Sequence, residues 1–271
     1  MGTEIPRHIG PYEIGRSLGP SPMGPLHEAR DRDSGESVVI AIAAAGGESG
    51  GHTARMRREA QTLARLEHPN LHSIRDVGAL DGRLYLIMDP PSGDPIDRYL
   101  EVRACPWPTV LELYCDAGRG LAAAHTRAIV HGQVAPAHIL VDDDGRVRLT
   151  GFALVRTRTG VNEPAATDGP TRDQPPEVAA GAPATLFGDQ YSFASALAQA
   201  LEGAPRGSAS ALPRHIRRAL ERARAPAPSN RYPSMYELLD DLQRTAPSPR
   251  VPVPMLALAI AVAATVGWLL W

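Results

Sequence analysis

The sequence predicts an α+β fold of two lobes, a small strand-rich one followed by a larger helical one, with one apolar helix at the C-terminus. Three observations lead there. Before about residue 90 the apolar residues fall mostly in short strand-like runs, whereas after it they recur mostly at helical spacing. The last 17 residues carry no charge. The boundaries that follow are 12–90 for the strand-rich lobe, 91–245 for the helical lobe, 246–254 for a proline-rich linker and 255–271 for the terminal helix.

Four segments read as strands in the first lobe: "YEIGRSLG", "LHEARDR", "SVVIAIA" and "LYLIMD". One amphipathic helix interrupts them, "TARMRREAQTLARLEH", with Met56, Ala60, Leu63 and Leu66 at helical spacing. The lobes join near "MDPPSGD". Beyond it, "TVLELYCDAGRGLAAAHTRA", "DQYSFASALAQALEG", "LPRHIRRALERAR" and "SMYELLDDLQR" read as helices. Between the first two of these helices lies "IVHGQVAPAHILVDDDGRVRLTGFALV". It holds two short strands around Asp143-Asp144-Gly145, whose residues tolerate the backbone angles of a hairpin turn.

The terminal segment, "MLALAIAVAATVGWLLW", spans roughly 26 Å as a helix, at the short end of what crosses a hydrocarbon core of about 30 Å. Val251 and Val253 lengthen it, Trp268 and Trp271 suit the far interface, and Arg244 and Arg250 stay on the near side. The expectation is a single-pass membrane protein, anchored through Met255 to Trp271, with everything before the span in the cytoplasm. The N-terminus has no apolar core of a signal peptide, and Pro6 stands where a myristoylation signal wants Ser or Thr.

Composition narrows the chemistry. Hydrophobic residues make up 43% and charged residues 21%, the proportions of a globular protein. A net charge of -2 with scattered basic residues gives no case for a nucleic-acid partner. All 28 basic residues are arginine. Without lysine, a Schiff base, a lysine general base and a lysine clamp on phosphate are all excluded. Cys105 and Cys115, ten apart, fit no zinc or redox spacing and read as reduced thiols. His125, His131 and His138 fit no usual metal-ligand spacing, and Asp142 to Asp144 reads as a solvated turn.

Taken in order, these segments resemble a bacterial-type Ser/Thr protein kinase domain over residues 12 to about 245. "LGPSPMGPLHEA" matches the glycine-rich loop at Leu18, Gly19, Gly24 and Ala29, with Leu26 in the valine's place. "GESVVIAIA" is similar to the strand that carries the phosphate-clamping lysine, and Glu59 stands at the regulatory helix's glutamate. Met88 takes the gatekeeper position. Pro175 to Glu177, Asp189 and Arg231 match the later structural motifs. The resemblance implies a bilobal protein-kinase-like fold, and Leu18, Gly19, Gly24, Leu26, Val39 and Met88 as what remains of a nucleotide cleft.

The departures from the pattern set the functional expectation. Measured against the family's roles, the lysine is Ala41, which leaves Glu59 as an exposed helix residue or an arginine's partner. The catalytic aspartate is Gln133, and an amide is not a useful base near neutral pH. The catalytic-loop lysine is Ala135. The two magnesium ligands are His138 and Gly151, and an imidazole is a poor donor to a hard cation. The arginine that receives a phosphorylated activation loop is Gly132. Three residues past the gatekeeper stands Pro91, with no N–H for the adenine ring. His131 and Phe152 are kept as packing residues.

No catalytic set is intact, no metal site is expected, and ATP binding is expected to be weak or absent. The leading expectation is a membrane-anchored pseudokinase that acts as a scaffold or regulator by binding a protein partner, such as another kinase or a cell-envelope factor. The alternative is a divergent active Ser/Thr kinase, or a kinase-fold enzyme with another transferase activity.

Overall fold

A computed structural model of the chain describes residues 6–21, 24–43, 50–80, 83–152, 174–205 and 212–244, with the backbone alone at 50–56. Six antiparallel strands form the first lobe: β1 (His8–Ile9), β2 (Tyr12–Pro20), β3 (Pro25–Asp31), β4 (Ser37–Ile42), β5 (Ile74–Leu80) and β6 (Arg83–Met88). Their order in the sheet is β1-β2-β3-β4-β6-β5. Residues alternate between faces along β4, as a strand requires. Ala41 and Ala43 face a cluster with Leu84, Leu86 and the helix α1 (Gly50–Ala64), through Ala60 and Leu63. Val38, Ile40 and Ile42 face the other side, with Ile9, Ala29 and Ile87.

The second lobe is built on α3 (Trp107–His125), preceded by α2 (Ile96–Arg103). A small sheet follows, β7 (Asp94–Pro95) with β8 (Ile139–Val141) and β9 (Val147–Leu149), all antiparallel. Then come α4 (Pro176–Ala179), α5 (Leu186–Gly203), α6 (Arg214–Ala223) and α7 (Met235–Gln243). The core lies where α3 meets α5, α7 and β9, through Tyr114, Leu121, Phe193, Leu197, Leu238 and Leu149. Tyr114 and Phe193 meet edge to face with centroids 6.1 Å apart. Thr185 and Ser234 cap α5 and α7 by accepting the N–H groups of Gly188 and Glu237.

The lobes are stitched by main-chain bonds beside the cleft. Leu149 donates its N–H to the Asn70 carbonyl at 2.9 Å, and its own carbonyl accepts from His72 at 3.0 Å. The Asn70 amide also donates to the Val147 carbonyl at 3.0 Å. These bonds fix the β8–β9 hairpin against the first lobe.

The bilobal expectation and its four strands hold, with corrections. β1, β5, β7, α2 and α4 were not expected. α1 ends at Ala64, before "RLEH", because Pro69 turns His68 away from helical backbone. The hairpin connection runs from Asp142 to Arg146, longer than the Asp-Asp-Gly turn, and the Asp142 carboxylate accepts the N–H groups of Asp144 and Arg146. Both cysteines are free and buried, and Cys105 precedes α3 while Cys115 lies on it. Burial pushes the Cys115 thiol up to about 12. Among the described residues no helix is long and apolar enough to cross a membrane; Met255 to Trp271 lie outside them.

Candidate functional site

Hairpin register decides where the chemistry-bearing positions meet. Ile139 pairs with Leu149, and one step further the Thr150 N–H donates to the His138 carbonyl at 2.8 Å. Gly151 follows directly. Its φ is +76°, the left-handed region that glycine enters without strain. A Cβ placed there would lie 2.5 Å from the His138 Cδ2 and 2.9 Å from its Nε2. The imidazole of His138 therefore sits on the bare backbone of Gly151. It is held there by Nδ1, 2.7 Å from the Gln133 carbonyl, which can only accept, so Nδ1 carries the proton.

His131 lies under this pair and is fully buried. Its Nε2 is 2.7 Å from the Thr150 carbonyl and its Nδ1 is 3.2 Å from the Gln133 N–H. A neutral ring with the proton on Nε2 satisfies both. Burial is the main cause that lowers its pKa to about 4, so it is neutral at physiological pH. The Phe152 ring packs against it at a tilt of 43° with centroids 4.5 Å apart, and the His138 ring lies 5.8 Å away. Asp189, 2% exposed, fixes the turn by accepting the N–H groups of His131 and Gly132 at 2.8 and 2.7 Å. His125 Nε2 lies 2.9 Å from the same carboxylate. The three histidines are thus engaged in hydrogen bonds with Asp189 or main-chain carbonyls. Among the described residues no group of three His, Cys, Asp or Glu is arranged to hold a metal.

Opposite the hairpin, Ala41 is 2% exposed and shares one apolar cluster with Leu26, Met88 and Phe152. Hydrocarbon fills the wall where the family's clamp would project. Glu59 lies on α1, half-buried. The glycine-rich stretch is a tight hairpin: Ser21 N–H donates to the Gly24 carbonyl at 2.9 Å and Gly24 N–H to the Ser21 carbonyl at 3.1 Å. Pro20, Pro22 and Pro25 have no N–H to offer. Among the described residues of the loop, the Ser21 and Gly24 donors are spent on the loop itself, and the prolines have none. Leu18 and Val39 instead line a cavity of about 640 Å³ with Glu28, Arg30, Pro90 and Pro91 at the end of the cleft. The Asp89 carbonyl beside it accepts from His72 Nε2 at 2.8 Å.

The supporting frame is complete. Arg231 is fully buried and places two N–H groups on Glu177, each at 2.7 Å, with the rest on the carbonyls of Ala225, Phe187 and Pro226. All five guanidinium donors are satisfied. Burial opposes ionisation of Glu177, and the bonds from Arg231 outweigh it, so its pKa is lowered.

Of the positions singled out in the sequence, the hairpin brings together His131, Gln133, His138, Gly151 and Phe152. Leu26, Ala41 and Met88 share one apolar wall, and Leu18 and Val39 face a separate cavity. Gly24 instead closes the loop hairpin, and Ala135 precedes a short helical turn at Pro136–His138. Sequence reasoning missed the three loop prolines, whose lack of donors was readable, and His72 at the hinge, which left no local signal.

The family model described as protein tyrosine and serine/threonine kinase matches residues 12–259. The chain is 29% identical to the serine/threonine-protein kinase PknD of Mycobacterium tuberculosis over 212 residues, 76% of this chain and 32% of that protein. It is 28% identical to PknA of the same species over 244 residues, 85% of this chain and 56% of that one. A probable serine/threonine-protein kinase PknB of Lactococcus lactis is 27% identical over 197 residues, 71% of this chain and 31% of that protein. The chain therefore spans about a third of the first of these relatives and about half of PknA. With the two-lobed fold, the ion pair of buried Arg231 with Glu177 and the Asp189 anchor in place, the chain belongs to the protein kinase family, as a serine/threonine kinase domain of bacterial type.

Proposed function

We propose that this chain is a membrane-anchored pseudokinase, a kinase fold without phosphotransfer that works as a scaffold or regulator by binding a protein partner. The observation that carries this reading is the His138 ring seated on Gly151. One metal-ligand position has no side chain, and the other fills the space a ligand there would need. Mg²⁺–ATP does not fit the residues present: no side-chain oxygen donor stands at either ligand position, no lysine exists, and the Ser21 and Gly24 N–H groups of the glycine-rich loop are bonded to each other's carbonyls while its three prolines have none. Gln133 cannot take a proton from a hydroxyl.

The frame built on Arg231, Asp189 and His131 favours a fold kept for binding. A partner, such as another kinase or a cell-envelope factor, gains effective concentration when both sit at one membrane through Met255 to Trp271. One observation favours a second reading, a divergent active Ser/Thr kinase: the relatives are named as kinases. Thermal unfolding of the full chain with ATP, with and without Mg²⁺ or Mn²⁺, separates the two. A ligand at a hundred times its Kd stabilises by about 2.7 kcal/mol. A pseudokinase with a closed site shows no metal-dependent rise in Tm; a clear rise with Mg²⁺–ATP supports the active kinase.

A further inference from the structure

The last two helices form a charged groove that the kinase-derived site does not use. On α6, Arg214, Arg218 and Arg222 stand at i, i+4 and i+8, beside the buried stripe of Ile216, Ala219, Leu220 and Ala223. With Arg244, just past α7, they line a cavity of about 550 Å³. Its one carboxylate, Asp241, is already engaged by the Tyr232 hydroxyl at 2.7 Å and by Arg244 at 3.6 Å. The Arg222 guanidinium lies over the Tyr232 ring at 4.1 Å, which orients it. Among the described residues neither Arg214 nor Arg218 has a carboxylate within ion-pairing distance. Like charges one turn apart repel, so the row is unfavourable by itself and calls for an anion.

We propose that this groove docks the phosphate headgroups of anionic phospholipids and holds the helical lobe against the membrane. Guanidinium forks match phosphate oxygens in geometry and charge. The position of the chain favours lipid over a soluble anion: Arg244 lines the groove and only residues 245–254 separate it from Met255. The ten residues 245–254 can reach at most about 35 Å before the apolar segment begins. The inference rests on the anchored reading of Met255 to Trp271. An anchored chain keeps the groove near headgroups, where a basic surface is attracted to an anionic leaflet.

The test is amide hydrogen exchange of α6 in the full chain, reconstituted into vesicles of phosphatidylcholine alone or with phosphatidylglycerol. Exchange at Arg214 to Ala223 is expected to slow about fivefold or more when phosphatidylglycerol is present, the effect of one arginine near an anionic surface. Arg214→Gln with Arg218→Gln should abolish the slowing, high salt should weaken it, and Arg217→Gln, outside the groove, should keep most of it. Equal exchange in both vesicles, with the chain resistant to carbonate extraction, overturns the groove and leaves the anchor standing. Carbonate-extractable chain overturns the anchor; α6 slowed by phosphatidylglycerol vesicles even then still supports the groove. Slowing by inorganic phosphate or a phosphopeptide but not by these vesicles assigns the groove to a soluble anion and overturns the lipid proposal.

Discussion

Restoring an aspartate at Gly151 should damage this protein rather than repair it. The left-handed backbone there, φ +76°, costs an ordinary L-residue roughly 1–2 kcal/mol, and aspartate, which tolerates this region better than most, about 1 kcal/mol. A Cβ would then stand 2.5 Å from the His138 ring, which must swing away and give up its bond to the Gln133 carbonyl. Losing that bond adds about 1 kcal/mol. Gly151→Asp is therefore expected to destabilise by roughly 2 kcal/mol, or about 4–8 °C in Tm for a domain of this size. In a His138→Ala background the ring is gone and only the backbone part remains. Thermal unfolding of the four chains of this double-mutant cycle should give a coupling of about 1 kcal/mol, the part that the His138 bond contributes. An equal loss in both backgrounds would refute the contact between the two positions.

Glu177→Ala leaves the buried Arg231 with two N–H groups unpaired and should cost about 3–5 kcal/mol by denaturant unfolding; adding Arg231→Met should recover part of it. His131 has a folded pKa of about 4, below its unfolded value, so the unfolded chain binds more protons between about pH 6.5 and 4. Its share of stability, about 3 kcal/mol, is present above that window and is lost as pH falls through it. His131→Asn should flatten that acid slope in pH-dependent unfolding. Replacing both Ala261 and Val262 with Arg should sharply lower carbonate-resistant membrane partitioning, since each mid-bilayer arginine costs about 2.5–3.5 kcal/mol on insertion scales. Partitioning unchanged by that pair would remove the anchor.

The six strands and five helices legible in the sequence carry period-2 or period-3.6 patterns or flank a clear turn signal, and the motif order fixed their arrangement. What escaped had weak local signals. β5 reads "IRDVGAL", with charges and a glycine that hide its alternation, and α2 is an eight-residue helix after a proline. α1 is shorter than its apolar spacing suggests, because Leu66 continues that spacing into a turn that Pro69 imposes. The site was legible as a set of lost side chains, but not as a contact. That His138 covers Gly151 depends on a register set by a five-residue connection, which spacing alone does not specify. The proline-closed loop was within reach, because the missing donors at Pro20, Pro22 and Pro25 need no structure to count.

Loss of phosphotransfer is tested most directly by labelled ATP. The purified full chain, with Mg²⁺ or Mn²⁺ and a generic protein substrate, should incorporate no label into itself or the substrate above a boiled control. Robust incorporation that disappears in Gln133→Ala would contradict the pseudokinase assignment and establish a divergent kinase that uses this same cleft.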